Sequence, residues 1–203
     1  MNIQDMIELS SRDHSHICPR QILGIRIGLA GMFALGFTEP PTQKEMLVIT
    51  ETDGCFVDGV IAATGCAVGR RTLRVEDYGK VAATFVNTKT GRAVRIAPRL
   101  DVRERAYSFA PEETRPYFAQ MQAYQVMPDE EMLTVRDVVL NTPIEKIVSR
   151  PGARANCDMC GEEIMNEREV HQNGLVLCHA CANGGYYQAA QNIILRIPQE
   201  AAP

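Results

Sequence analysis

Two Cys-x-x-Cys pairs near the C-terminal end constrain this chain more than any other feature. The first pair is Cys157 and Cys160, the second is Cys178 and Cys181, and 17 residues separate them. Four thiolates at this spacing are typical of a tetrahedral zinc site, in which each pair binds the metal from a tight turn. Because a closed shell of four sulfurs leaves no position for water, we predict a structural zinc ion and not a catalytic one.

The residues around these pairs predict a treble-clef zinc finger. Asn173-Gly174 lies between two short apolar runs, and Asn-Gly is the strongest short hairpin signal. Apolar residues at near-helical spacing follow the second cysteine pair as far as Arg196. A knuckle, a hairpin and a helix that begins at the second pair form the treble-clef order. We assign it to a domain of residues 151–203, which is too short for a secure core without a metal.

The boundary between the two predicted domains follows Arg150, where Pro151-Gly152 is typical of a linker. Residues 1–150 carry 18 basic and 19 acidic side chains, and residues 151–203 carry 3 basic and 6 acidic ones. Neither domain has the excess of Lys and Arg that releases counterions from a phosphate backbone, so we expect no nucleic-acid partner. An arginine-rich stretch from Arg92 to Arg105 is interleaved with acidic residues and predicts a solvated face more than an anion site.

The sequence also predicts no membrane association. Its longest uncharged stretch in the apolar N-terminal part, residues 27–38, is shorter than the roughly 20 residues that cross a bilayer. The first residues lack the basic and apolar regions of a secretory signal. We therefore expect a cytoplasmic protein, whose seven cysteines are thiols or metal ligands in a reducing compartment.

The first 150 residues mix helix and strand signals and predict an α+β core. Hydrophobic periodicity, with Pro, Gly and other turn residues at the ends of the segments, predicts three helices and five strands in this part. The helices are 19–36, 55–63 and 111–127, and the strands are 46–50, 72–76, 81–87, 93–97 and 132–140. The strands gather between helices, without the regular alternation of a doubly wound sheet. Gly24, Gly28 and Gly31 lie near one face of the first predicted helix. They indicate either the close approach of another backbone or a ligand, or a turn at Gly31.

A second cluster of metal-ligand residues lies near the start of the chain. His14, His16 and Cys18 alternate, so an extended backbone would point them to the same side. Cys55 begins another predicted helix with Asp53 as its expected cap, and a helix N-terminus lowers the pKa of a nearby thiol. We predict that His16, Cys18 and Cys55, assisted by His14, hold a metal ion with one open coordination position.

Two alternatives stay open for this second cluster. Cys18 forms a redox pair with Cys55 or Cys66 without a metal, or the core is a non-catalytic dimeric module that uses the zinc finger as its docking surface. If the core is catalytic, the candidate groups are Cys18, Cys55, Asp58 and Lys80. For Cys66 alone, a buried thiol that acts as a small hydrophobic side chain is the simpler interpretation.

Several motifs of the core resemble those of the FmdE family. They are His14-Ser15-His16-Ile17-Cys18-Pro19, Asp53-Gly54-Cys55-Phe56-Val57-Asp58, Thr64-Gly65-Cys66 and Asp77-Tyr78-Gly79-Lys80-Val81-Ala82. The resemblance covers about residues 6 to 140. Members of this family are related to the FmdE component of molybdenum or tungsten formylmethanofuran dehydrogenase. The resemblance implies an α+β core that tends to dimerise, a cavity with His and Cys side chains, and an accessory zinc finger.

What the resemblance implies about function is an accessory or small-molecule-handling role in methanogenic one-carbon metabolism. The implied partners are a second copy of the chain, a formylmethanofuran dehydrogenase-type complex and a small-molecule ligand. The cofactors expected from the two predicted sites are one structural zinc ion and a second metal ion in the core.

Overall fold

The structure is a computed structural model that describes residues 2–12, 16–148 and 150–188. Two units divide the chain between Ile144 and Glu145, a few residues before the boundary predicted after Arg150. Each unit has its own strands and its own apolar core.

The first unit contains the long helices and one mixed sheet. Its helices are α1 (Ile3–Ser10), α2 (Pro19–Ala34), α3 (Cys55–Thr64), α4 (Val102–Phe109), α5 (Pro116–Val126) and α6 (Asp129–Met132). Its strands are β1 (Met46–Thr50), β2 (Leu73–Val75), β3 (Ala83–Asn87), β4 (Ala93–Pro98) and β5 (Leu133–Val138). A short helix, α7 (Ile144–Val148), lies at the division between the units. None of the helices in the described ranges has the length and hydropathy that a bilayer crossing requires.

The five strands form one sheet in the order β2-β1-β3-β4-β5. Strands β1 and β2 are parallel, because α3 connects them, whereas the other neighbours are antiparallel. The predicted hairpin between β3 and β4 is present. This arrangement confirms the predicted α+β core.

Helix α2 packs on one face of the sheet. The register aligns Val48 with Phe85 and Phe85 with Val94, and all three side chains are fully buried in the main core. Gly31 leaves the space for this packing, since a Cβ there would lie 2.2 Å from the Phe85 ring. The helix continues through Gly31 to Ala34, so the alternative of a turn at Gly31 is wrong.

The second unit has the treble-clef order of elements, as predicted. It contains β6 (Arg154–Asn156), β7 (Glu163–Met165), β8 (Val170–Gln172), β9 (Leu175–Leu177) and α8 (His179–Asn183). Asn173 and Gly174 join β8 to β9 with φ angles of 54° and 79°, the left-handed pair that a type I′ hairpin turn requires. Helix α8 ends at Asn183. The part of the predicted helix beyond residue 188 lies outside the described residues.

The core of the first unit contains a buried phenol that yields a stability prediction. Tyr124 is 1% exposed, and its hydroxyl has no hydrogen-bond partner in the described part of the chain. Burial raises the pKa of Tyr124 from 10.0 to about 12. An unfolded tyrosine therefore loses its proton at lower pH than the folded one, so this group's contribution to stability falls as the pH rises from 10 towards 12.

We expect Tyr124→Phe to leave stability at pH 7 unchanged, or to raise it by up to about 1 kcal/mol, because an unpaired buried hydroxyl is removed. At pH 11.5 the variant should exceed the wild type by a further 1–3 kcal/mol, on the order of the linked pKa change. Urea unfolding at both pH values measures the two differences. A variant that is markedly less stable at pH 7 would show that the hydroxyl has a favourable partner.

Candidate metal centres

Close packing of α2 against α3 builds the first centre. A Cβ on Gly24 would lie 2.1 Å from the carbonyl oxygen of Phe56, and one on Gly59 would lie 2.1 Å from that of Gln21. One turn further along, a Cβ on Gly28 would lie 2.7 Å from the Cβ of Ala63. Contacts therefore advance in the same direction along both helices. The helices run parallel, and their N-termini lie at the same end.

This arrangement brings Cys18 and Cys55 together. Cys18 is the N-cap residue of α2, and Cys55 is the first residue of α3. Their Sγ atoms are 3.0 Å apart. Asp53 does not cap α3 as predicted: the N-cap residue is Gly54, with a φ of +73°, a left-handed conformation that glycine adopts without strain. The two thiols thus share the amino ends of two parallel helices.

Gln21 fixes the backbone at Cys18. Its side-chain Oε1 accepts a hydrogen bond from the Cys18 N–H at 3.3 Å, and its Nε2 donates to the Ser10 hydroxyl at 2.9 Å. The Gln21 side chain is fully buried, where leaving such groups unpaired would cost about 1–3 kcal/mol. It therefore connects the end of α1 to the first turn of α2 and holds the thiol in place.

The pKa of Cys18 does not follow the expected direction. Backbone amides of Gln21 and Arg20 lower it, as expected at a helix N-terminus. Burial and the adjacent Cys55 thiol raise it by more, so the net pKa lies above the usual 9.0. Desolvation penalises a thiolate more strongly here than the helix end stabilises it. Without a cation, Cys18 is a protonated thiol at neutral pH.

Tyr117, which the sequence patterns did not single out, lies beside the thiol pair. It is the second residue of α5, and its hydroxyl donates a hydrogen bond of 2.5 Å to the carbonyl oxygen of Ile17, the residue before Cys18. Burial, together with the negative charges that Cys18 and Cys55 can carry, raises the pKa of Tyr117. No spacing rule connects residue 117 with residue 18, because the contact depends on how α5 packs against α2.

The two histidines of the predicted cluster are placed differently from the thiols. His14 lies outside the described residues. His16 lies two residues before Cys18 and is exposed. In the described ranges, only the four C-terminal cysteines form a group of three or more ligand atoms that all lie within 4.8 Å of one another. The two thiols are therefore assembled in this structure, whereas His16 is not within that distance of both.

The other candidate residues have separate positions. Asp58 lies on α3 one turn after Cys55 and is half-buried. Lys80 is exposed on the turn between β2 and β3, where its backbone N–H donates to the Glu51 carbonyl. Cys66 is buried, and its Sγ lies 3.8 Å from the Met46 carbonyl oxygen. Cys66 thus has the environment of a core residue, and Cys55 is the thiol next to Cys18.

The second centre is the group of four cysteines in the C-terminal unit. The Sγ atoms of Cys157, Cys160, Cys178 and Cys181 all lie within 4.8 Å of one another. Backbone N–H groups of Cys160 and Cys178 lower the pKa of Cys157 to about 6. The surrounding thiols raise the pKa of Cys181 to about 12. Four sulfurs this close repel one another as thiolates, so the group requires a cation to be fully deprotonated. It is able to hold a metal ion.

Acidic side chains of the same unit neutralise much of the arginine-rich stretch. Arg95 binds Glu51 through two hydrogen bonds of 2.5 and 2.7 Å. Arg105 pairs with both Asp101 and Glu131. These ion pairs occupy guanidinium groups that a bound anion would need. Arg95 is also more buried than the predicted solvated face would require.

Comparison with protein families matches residues 14–149 to "FmdE, Molybdenum formylmethanofuran dehydrogenase operon". The chain belongs to the FmdE family. The matched segment contains the thiol pair and Tyr117 and ends before the four-cysteine group, so the FmdE segment and the metal-binding group are separate parts of this member.

Two known proteins resemble nearly the whole chain. The crystal structure of a tungsten formylmethanofuran dehydrogenase FmdE-like protein from Syntrophus aciditrophicus superposes with a TM-score of 0.60 at 20% identity, and covers 92% of this chain and 95% of that one. An Archaeoglobus fulgidus protein named "Probable S-adenosyl-L-methionine-binding protein" is 29% identical over 208 residues, 92% of this chain and 55% of the relative. This FmdE protein therefore spans about half the length of that relative.

Proposed function

We propose that the core of this FmdE protein binds a transition-metal ion through Cys18 and Cys55, next to the N-termini of α2 and α3. The observation that carries the proposal is the Sγ–Sγ distance of 3.0 Å. Zinc–thiolate bonds of about 2.3 Å in a tetrahedral site separate two sulfurs by about 3.8 Å. The pair therefore needs to open by less than about 1 Å to bind a metal of this size.

Two thiolates leave half of a tetrahedral shell to be filled. His16 precedes the pair on the same segment and His14 lies two residues earlier, and imidazole nitrogen is a suitable ligand for zinc and similar metals. In this proposal His16, assisted by His14, supplies the third ligand and leaves one coordination position open. Such a position accepts water or a substrate atom. Asp58, one turn after Cys55 on α3, is then the carboxylate that assists a proton transfer.

For the four-cysteine group we propose a structural zinc ion. The observation that supports this metal is the donor set, since four thiolates form a closed tetrahedral shell that zinc prefers. The closed shell leaves no coordination position for a substrate. In this proposal the C-terminal centre stabilises its unit, and the core centre handles the ligand.

The wider role that we propose is that of an accessory or small-molecule-handling protein related to formylmethanofuran dehydrogenase, in one-carbon metabolism. Membership of the FmdE family supports association with components of that enzyme. The name of the Archaeoglobus fulgidus relative supports a small-molecule ligand for the core. A homodimer in the cytoplasm remains the expected assembly and location.

Metal analysis of purified variants tests the core site. The wild type should bind about two metal ions per chain, one at each predicted centre. Cys18→Ser should bind about one, because a single remaining thiolate leaves too few ligands for tight binding. Cys66→Ser is the matched control, since it also removes a buried core thiol but should retain both ions. A Cys18→Ser protein with the metal content of the wild type would refute the proposed site.

A second candidate function is a redox dithiol, because a disulfide requires the same two sulfurs to approach by only about 1 Å. The raised pKa of Cys18 disfavours it, since thiol exchange proceeds through the thiolate. Alkylation of the metal-free protein at pH 8 distinguishes the two functions. We expect Cys18 to react more slowly than cysteine in an unfolded peptide. A faster reaction, together with reversible loss of both thiols on oxidation, would favour the redox function.

A further inference from the structure

We propose that Tyr117 is the specificity-determining residue of the thiol pair: its side chain is a latch that admits metal ions and small molecules and holds back bulky ligands. The inference rests on the proposed function of Cys18 and Cys55 as a ligand-binding pair. It adds the size class of the ligand and the residue that sets it.

The position of the Tyr117 hydroxyl is the first observation. Its hydrogen bond to the Ile17 carbonyl joins α5 to the segment that leads into Cys18. This carbonyl belongs to the peptide bond that joins Ile17 to Cys18, so the phenol is hydrogen-bonded to the residue next to the thiol in sequence. The Tyr117 hydroxyl therefore lies beside the segment that places Cys18 at the start of α2.

The exposed fractions of the two thiols and of Tyr117 bear on the side from which a ligand reaches the thiols. Cys18 is only 8% exposed and Cys55 is half-buried, whereas Tyr117 is 41% exposed. Tyr117 is thus the exposed side chain hydrogen-bonded to a segment whose thiol is buried, and the proposal places its ring on the solvent side of the pair. A ligand larger than a metal ion that approaches from this side must displace the Tyr117 ring.

In the described part of the chain, two contacts hold the Tyr117 side chain: the hydrogen bond to Ile17, and an edge contact with the ring of Phe118, whose centroid lies 5.2 Å away. Arg115 lies over the ring of Phe118 at 4.0 Å and pairs with Glu113. These contacts fix the first turn of α5 around Pro116. The Tyr117 hydroxyl is retained by the bond to Ile17, and loss of one such bond changes an equilibrium by about three- to tenfold. The latch therefore opens reversibly.

Alkylation by two reagents of different size tests the latch in the whole chain. The reagents are iodoacetamide and a maleimide linked to a polyethylene glycol chain, applied after a mild chelator removes any core metal. Mass spectrometry of the Cys18 and Cys55 peptides gives the rate for each thiol. The quantity compared is the ratio of the bulky-reagent rate to the small-reagent rate. A substitution that changes the pKa of a thiol changes both rates by nearly the same factor, so the ratio of the rates reports mainly the access of the bulky reagent.

Tyr117→Phe retains the ring and loses the hydrogen bond, and Tyr117→Ala loses both. We expect the ratio to rise about threefold in Tyr117→Phe and about tenfold or more in Tyr117→Ala. Tyr107→Ala is the control, because Tyr107 on α4 is equally exposed, at 40%, and its loss should leave the ratio unchanged. An unchanged ratio in Tyr117→Ala, or an equal rise in Tyr107→Ala, would overturn the proposal.

The outcomes separate the latch from the proposed metal site. Two metal ions per chain with an unchanged ratio in both Tyr117 variants would refute the latch alone. A ratio that rises as expected in a chain that binds metal only at the four-cysteine group would refute the core metal site alone. If Tyr117→Ala does not fold, the ratio in Tyr117→Phe decides, because that variant keeps the packing of the ring.

Discussion

Replacing Cys178 by alanine is expected to unfold the C-terminal unit. The apolar core of this unit is small: its fully buried members among the described residues are Cys157, Ile164 and Leu177. Binding of a structural zinc ion contributes roughly 10–16 kcal/mol in isolated zinc-finger peptides, which is far more than such a core can provide. Loss of one thiolate, which also caps α8, should therefore leave most of this unit unfolded.

Hydrogen exchange measured by mass spectrometry reports this effect for each unit. Amides of β6 to β9 should be protected in the metal-loaded wild type and exchange within seconds in Cys178→Ala. Those of β1 and β3 should be unaffected. Met159→Ala is the control, because it alters an exposed residue of the same knuckle and leaves the four sulfurs in place. Full protection in a metal-free Cys178→Ala chain would contradict the structural role of the metal.

The second large effect is expected for Gly59→Ala, at the contact between α2 and α3. The new Cβ would lie 2.1 Å from the Gln21 carbonyl oxygen and 2.8 Å from the Ile25 amide nitrogen. These are backbone atoms, so the helices must move apart. Overpacking costs about 1–3 kcal/mol and occasionally more, whereas the better helix propensity of alanine returns about 1 kcal/mol. Because both clashes are with backbone atoms, the cost should lie at the upper end of this range or above it. We expect a net loss of about 2 kcal/mol, and a thiol pair that no longer binds metal.

Gly69→Ala provides the matched control for this substitution. A Cβ on Gly69 meets no heavy atom within 4 Å, and its backbone is not left-handed, so the stability should change little. Urea unfolding gives the stability of both variants, and the number of Co²⁺ ions bound per chain beyond the one expected at the four-cysteine group gives the occupancy of the thiol pair. If Gly59→Ala were as stable as Gly69→Ala and bound Co²⁺ equally well, the close helix contact would not position the thiols.

The sequence predicted those parts of the fold that strong local signals specify. Pro19 marks the start of α2, and the apolar run of β1 has the predicted bounds. Asn173-Gly174 and the two cysteine pairs were sufficient for the treble clef. These signals act over a few residues, so they need no knowledge of the tertiary packing.

Elements that depend on tertiary contacts were predicted less well. Helices α1, α4, α6 and α7 were absent from the prediction, and α5 begins at Pro116 instead of Pro111. None of the missed helices has more than eight residues, which is too short to be stable alone, so tertiary packing decides whether they form. The predicted start of α3 at Cys55 is correct, but its N-cap residue is Gly54, with a φ of +73°, and not Asp53.

In the candidate site, too, the sequence predicted what local signals specify and missed what depends on tertiary contacts. The glycine spacing in α2 indicated the close approach of another backbone or a ligand, or a turn at Gly31. The structure places α3 against Gly24 and Gly28, whereas Gly31 contacts the Phe85 ring. The helix-end argument for Cys18 gave the wrong direction for its pKa, because the sequence does not show how strongly the thiol is buried. Tyr117 was missed because its contact with Ile17 spans 100 residues. A contact at that separation has no local signature.

An anomalous scattering map, measured at a metal absorption edge from crystals of the whole metal-loaded chain, tests the proposed binding of a metal ion by Cys18 and Cys55. We expect two peaks per chain. One should lie among the four sulfurs of the C-terminal unit, and the other within bonding distance, about 2.3 Å, of the Sγ atoms of Cys18 and Cys55. A map with a single peak, among the four sulfurs, and with Cys18 and Cys55 as uncoordinated thiols would contradict it.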